Sequence, residues 1–235
     1  MNILLIAGHG NGDPGACGCG YKEANETRRM MEAVAVRLSK QGISVVKFDE
    51  TKNAYDVVRV GGALPLNDID YVVEFHLNAG VGDQTGNGAT TGTEVLVHAS
   101  EPATTVEQCI LDNICTLGFK NRGVKRRSDL AVMGYVVSSG ISHALIETCF
   151  IDDKDDMDLY ERKFDEIADA IADGIMDGFG LDGEEMEEQN KKPSEWAKEA
   201  VAEAIKMGIT DGGRPHDPAT REEVACMIMR AMKKR

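Results

Sequence analysis

Three side chains able to bind a metal or carry a proton stand where short hydrophobic runs end: His9 after NILLIAG, His76 after DYVVEF and Glu147 after HALI. Buried strands hold such groups rigidly, and the loops beyond them admit a ligand. A catalytic zinc site takes three protein ligands from His, Glu or Asp and keeps a fourth position for water, whose pKa falls to about 7. His9 and His76 supply two ligands. The third is an acid at the start of the next helix. Glu23 can be folded back beside His9 by the glycine-rich turn GHGNGDPGACGCG, and Glu26, one helical turn on, competes with it. Spacing favours Glu23 without excluding Glu26. Taken singly, each histidine reads equally as a buried polar residue satisfied by backbone, and Glu23 as a charge complementing a helix start. Their joint placement points to a metal.

Glu147 lies in an apolar strand, where an unpaired ionised carboxylate is costly. Facing the metal, it would take a proton from water and return it to a leaving amine; the competing explanation pairs it with Arg126, Arg127 or a backbone cap. Cys149 shares its strand parity but has no dedicated base and is read as core. Other signals are weaker. Gly10, Gly12 and Gly15 spell GxGxxG, yet Pro14 and the CGCG run delay the helix that should receive a pyrophosphate. Cys17 and Cys19 form an incomplete ligand set. His98 and His143 lie in or beside strands without evident partners, and His216 falls in a tail turn, so all three are read as structural.

The elements that position these groups alternate. Residues 2–7, 43–48, 71–77, 93–98, 130–133 and 143–149 read as strands. Helices are expected over 24–40, where Met30, Val34 and Leu38 recur, over 104–118, and along the face formed by Phe164, Ile167, Ala168, Ile171, Ile175 and Phe179. Residues 53–67 read as irregular and 79–91 as an exposed loop. This pattern implies an α/β fold: an open, mostly parallel twisted sheet with helices on both faces and functional groups at the carboxyl ends of strands. A catalytic domain over 1–180 is followed by an acidic, flexible linker over 181–193 and a small two-helix module over 194–235. In that module Ser194 and Thr220 are the expected N-caps.

Composition narrows the partners. Of a net charge of −14, about −12 falls in residues 1–180, which argues against nucleic acid as a partner. No stretch approaches the roughly 18 apolar residues of a membrane span, so no membrane insertion is expected. Met1 leads straight into an apparent core strand without a visible signal peptide. The six cysteines include no CxxC pair, which favours reduced thiols.

The turn GHGNGDPGA, Glu23 within GYKEAN, HLNA at 76–79, NRGVK at 121–125 and ALIETCF at 144–150 together resemble the zinc-dependent N-acetylmuramoyl-L-alanine amidases of the amidase-3 type, the catalytic domains of many bacterial autolysins and phage endolysins. The resemblance covers about residues 1–180. It implies one Zn2+ per catalytic domain held by His9, Glu23 and His76, with Glu23 preferred over Glu26, Glu147 as the catalytic carboxylate, and Asn78 beside the bound glycan-peptide. The implied reaction cuts peptidoglycan between the lactyl group of N-acetylmuramic acid and the L-alanine of the stem peptide. The basic stretch Arg122, Lys125, Arg126 and Arg127 borders the groove, with Arg126 a candidate contact for stem-peptide carboxylates and plain surface charge the alternative. A zinc peptidase or carboxypeptidase acting on stem peptides, and a non-catalytic wall-binding protein, are the competing functions. The expected course is synthesis in the cytoplasm and action on the cell wall after release.

Residues 194–235, with their WA, DP and TREE segments, resemble one S-layer homology repeat. This implies attachment to a secondary cell-wall polymer. Such modules usually work in sets of three, so wall binding by one repeat would require chains to associate; a small two-helix docking or dimerising unit is the alternative.

Overall fold

The computed structural model describes residues 1–181, 197–210, 212 and 221–233. The linker expected over 181–193 (apart from Leu181), the expected caps Ser194 and Thr220, Trp196 and His216 lie outside the described residues. The chain divides into two units, Met1–Gly180 and Leu181–Arg235.

The first unit runs β1 (Asn2–Ala7), β2 (Cys17–Gly18), β3 (Tyr21–Lys22), α1 (Glu23–Lys40), β4 (Ser44–Lys47), α2 (Ala54–Arg59), β5 (Tyr71–Asn78), β6 (Thr93–His98), α3 (Thr105–Cys115), β7 (Asn121–Arg127), α4 (Ala131–Ser138), β8 (Ser142–Phe150), α5 (Lys154–Arg162) and α6 (Phe164–Phe179). Six strands form one sheet in the order β4-β1-β5-β8-β6-β7. The first four are mutually parallel; β6 runs antiparallel to β8, and β7 parallel to β6. The sheet is therefore mostly parallel, with one reversal next to the strand that carries Glu147.

Strand parity divides the core between two faces. On one, Leu4, Ile6 and Val72 pack with Ala54, Val132 and Val136 from α2 and α4. On the other, the Tyr71 ring meets Phe179 of α6 edge-on with centroids 5.1 Å apart, and its hydroxyl donates to Glu107 of α3. The interior strand β1 is apolar after Asn2 because both of its faces are covered: Ile3, Leu4, Leu5 and Ile6 are all fully buried. Helix α1 buries Met30, Met31, Val34 and Leu38, carries Glu23 and Glu26 in its first turn and Arg37 and Lys40 in its last, each sign where the helix dipole favours it.

Three elements depart from the sequence reading. Residues 130–133, expected as a strand, begin α4 instead; a short apolar run suits a buried helix as well as a strand, and here Val132, Met133 and Val136 recur on the buried side of a helix. The polar segment NRGVKRR forms β7 at the sheet edge, where one side meets solvent and charges discourage further pairing. Residues 53–67 contain α2, started by Asn53, whose Oδ1 accepts from the Tyr55 amide at 3.0 Å.

The 79–91 loop is largely exposed, as expected, but tethered. Asp152 accepts from the amides of Gly80 and Gly82 at 2.9 Å each, and Asp155 from those of Asn87 and Gly88 at 2.7 and 2.9 Å. Asp153 caps α5 by accepting from the Asp155 and Asp156 amides at 2.8 and 3.1 Å.

In the second unit, α7 (Lys198–Lys206) and α8 (Arg221–Lys233) are the helices among the described residues. The Arg230 guanidinium donates to the Ile209 carbonyl at 3.2 Å. Among the described residues no helix is long and apolar enough to cross a membrane.

Candidate active site

The site is built where β1, β5 and β8 end and α1 begins. After β1 the chain turns through His9, Gly10, Asn11 and Gly12, all at positive φ. His9, at φ 62°, is a non-glycine residue in a conformation that L side chains adopt at a cost, so the surroundings must hold it there. Arg28 of α1 does so, donating to the carbonyls of Gly8 at 3.1 Å, His9 at 3.0 Å and Ala24 at 2.8 Å. Two glycines are required by space. A Cβ on Gly8 would overlap the His76 ring, and one on Gly15 would lie 2.7 Å from both the Glu23 carboxylate and the His9 ring.

Glu23, the first residue of α1 and only 3% exposed, is surrounded by donors. Its Oε1 lies 2.8 Å from His76 Nδ1 and accepts from the Leu77 amide at 3.1 Å; its Oε2 lies 3.1 Å from His9 Nε2 and accepts from the Ala16 amide at 2.8 Å. Burial alone would raise its pKa, but the hydrogen bonds from His76 and His9 outweigh it and hold the carboxyl far below the usual range. The structure thus brings His9, Glu23 and His76 together, with one potential ligand atom from each within 4.8 Å of the others. Glu26 turns elsewhere, to Arg29 Nη1 at 2.5 Å.

The ring nitrogen of each histidine that does not face Glu23 has its own carboxylate. His9 Nδ1 lies 2.7 Å from Asp13 Oδ2, and His76 Nε2 lies 3.2 Å from Glu74 Oε1. The other Glu74 oxygen accepts from His143 Nε2 at 3.0 Å, so the histidine expected to lack a partner has one.

Glu147 stands beside this trio in the sheet. In register, His76 on β5 pairs with Glu147 on β8, which pairs with Glu94 on β6, so the three project on the same face. Glu147 Oε2 is buried without a hydrogen-bond partner, and neither Arg126 nor Arg127 approaches it: Arg126 donates to the Ala99 and Glu101 carbonyls, and Arg127 pairs with Asp129. Burial pushes its pKa up to about 7; the positive His76 opposes this, and Glu23, Glu94 and Glu74 add to it. Glu94 itself is neutralised by Arg122 Nε at 2.6 Å and Lys125 Nζ at 2.5 Å, and accepts from Asn78 Nδ2 at 3.2 Å. A cavity of ≈ 300 Å3 opens beside His9 and His76, walled by Asn53, Ala54, Leu130, Val132 and Leu145.

Sequence reasoning missed Asp13, Arg28, Glu74 and Glu94. Glu74 was legible in principle, since it precedes His76 by two residues and so shares its face of the strand.

A helix-flanked, mostly parallel sheet that gathers two histidines, an ionised glutamate and a second, proton-retaining glutamate defines the class: an α/β protein with a site suited to metal-assisted hydrolysis. Residues 3–177 match the family model described as N-acetylmuramoyl-L-alanine amidase, and the chain belongs to that family. It is 30% identical over 188 residues to the probable autolysin PH of Staphylococcus aureus, covering 74% of this chain and 38% of that protein. It is 26% identical over 183 residues to the endolysin of Bacillus phage SPP1, covering 76% of this chain and 66% of that one. The chain thus spans less than two thirds of the length of both relatives. The catalytic domain of the CD27L endolysin targeting Clostridium difficile superposes with a TM-score of 0.61 at 26% identity, over 75% of this chain and 97% of that domain.

Proposed function

We propose that this chain is a zinc-dependent peptidoglycan amidase that hydrolyses the bond between the lactyl group of N-acetylmuramic acid and the L-alanine of the stem peptide. The observation that carries the reading is geometric: His9, Glu23 and His76 each offer a ligand atom within 4.8 Å of the others, and Glu147 is paired in register with His76 on the adjoining strand. Two imidazoles and one carboxylate are a donor set that zinc takes in hydrolytic sites. The glycines at 8 and 15 leave room for no side chain but those of the trio. His9, Glu23 and His76 would hold one Zn2+ per catalytic domain, and that ion supplies Lewis acidity toward a carbonyl and acidifies water to a pKa of about 7.

The protein's own groups then divide the work. Glu147, balanced near neutral pH, accepts a proton from the attacking water and delivers it to the departing amide nitrogen, the role for which a carboxyl pKa close to the working pH is best suited. Its removal from water, with Glu23, Glu94 and Glu74 nearby, favours the protonated form. Glu94 ties Asn78, Arg122 and Lys125 together beside it, so the rim of the groove presents an amide and two cations against one carboxylate. That excess of positive charge suits the carboxylates of a stem peptide. Arg126, committed to two carbonyls, contributes to this rim only if substrate draws it away.

The tail adds a second proposal, supported by its sequence likeness to a single S-layer homology repeat: it attaches the enzyme to a secondary cell-wall polymer, with chains associating to complete the module. Sedimentation of the full chain with walls before and after extraction of that polymer tests it; equal binding to both would remove the assignment.

The central reading is tested by digesting purified peptidoglycan and identifying the new termini. Free L-alanine amino termini are expected, lost with a chelator and restored by Zn2+. New reducing sugars would indicate a glycosidase, and new termini within the stem peptide a peptidase; either contradicts the proposal.

A further inference from the structure

The two histidines of the site are held in unequal ways. Asp13, the partner of His9, sits four residues away on the same turn and its side chain is 45% exposed. Glu74, the partner of His76, is 5% exposed, and each of its oxygens meets a different imidazole: His76 Nε2 at 3.2 Å and His143 Nε2 at 3.0 Å. His143 is fully buried and its Nδ1 has no hydrogen-bond partner. A buried carboxylate between two nitrogens requires an N–H from each, because a carboxylate offers only acceptors. With Nε2 donating to Glu74, the proton on Nδ1, directed at Glu23 Oε1 2.8 Å away, is the one a metal would replace. His143 meets Glu74 through Nε2 alone, its Nδ1 having no hydrogen-bond partner.

From this geometry we infer that Glu74 and His143 form a buried clamp, built to fix the proton position and ring plane of His76 and so to set the metal affinity of the site. Glu74 is a positioning residue acting through His76, and His143 acts one step further back by holding Glu74. Register makes the clamp stiff: Glu74 and His76 lie on β5, His143 on the adjacent β8, and Val72, two residues before Glu74, pairs with His143. The Asp13 contact on the opposite side is a local, solvated interaction that water can replace. The two carboxylates therefore differ in consequence although both touch a histidine.

The inference rests on the zinc reading, and the experiment separates the two. Full-length wild type, Glu74→Gln, Asp13→Asn, His143→Leu and His143→Gln are compared for zinc content after dialysis, zinc Kd by competition with a chromophoric chelator, and thermal midpoint without metal. Wild type should retain one zinc per chain; if it retains none, the zinc reading itself fails. With wild type loaded, Glu74→Gln should weaken zinc about 10- to 100-fold, the usual effect of losing an outer carboxylate, and Asp13→Asn by much less. His143→Leu should weaken zinc, and His143→Gln, which keeps an N–H donor of similar reach, should restore it. If Glu74→Gln does not fold, the Leu and Gln pair at 143 carries the comparison. Equal zinc affinity in wild type and Glu74→Gln, or in both His143 variants, overturns the proposal.

Discussion

The turn after β1 and the sheet end at β5 and β8 each place a glutamate beside His76, and the two acids end in opposite states. Glu23 is met by His9 and the Ala16 amide from the turn and by His76 and the Leu77 amide from β5, so its charge is stabilised despite burial. The strand amide is free for this because the β5–β8 register shifts between His76 and Asn78, so Leu77 N–H turns to Glu23 instead of the ladder. Glu147 is withdrawn from water among like charges, and one of its oxygens has no partner. Two glutamates beside the same histidine are thus held with their pKa values pushed in opposite directions.

This contrast can be broken from the turn side first. Glu23→Ala removes the ionised half and should abolish zinc binding and lower turnover at least about a thousandfold, roughly 4 kcal/mol of barrier; metal analysis and digestion rates check both. Wild-type zinc content in this variant would show that Glu23 is not a ligand.

A smaller effect is expected on the sheet side in metal-free protein. The Glu147 pKa of about 7 lies above the ordinary carboxyl value, so folding disfavours its ionised form. Below pH about 4.5 the group is protonated in both folded and unfolded chains and imposes no penalty; the penalty grows as pH rises and is complete above about 7, where it reaches about 3 kcal/mol. Glu147→Gln should accordingly be more stable than wild type above pH 7 and nearly equal to it near pH 4.5, as read by denaturant unfolding after chelation. A pH-independent difference would show that the carboxyl is not held protonated by the fold.

Gly8→Ala sharpens the geometric side of the comparison, since its methyl group must displace the His76 ring. A cost of about 1–3 kcal/mol is expected, as for other overpacked sites, together with weakened zinc binding. The smallest effect is expected at Asn53, which caps α2 and donates to Asp13 Oδ2 at 3.2 Å. Asn53→Ala should cost about 1 kcal/mol of stability and change turnover only slightly, because the Asp13 it supports lies on the solvated side of the site.

The parallel sheet and the three main sites on it were legible because buried strands are apolar and short, so a polar residue at their ends stands out: His9, His76 and Glu147 are all of this kind. Glu23 needed the glycine-rich turn to be read as a fold-back. Residues 130–133 misled because four apolar residues carry no period. β7 was hidden by its charges, which belong to an edge, and Glu74 by its position inside an apolar strand, where an acid reads as an anomaly until His143 is seen across the ladder. Pairings between strands 69 residues apart leave no local trace in sequence.

The most direct test of the division between metal ligand and proton carrier is the turnover of Glu147→Gln at measured, full zinc occupancy on purified peptidoglycan. A loss of about 10²- to 10⁴-fold with one zinc still bound per chain is expected of a removed general acid and base. Wild-type turnover at full occupancy, or loss of zinc together with activity, would contradict the assignment of Glu147 as the group that carries the proton.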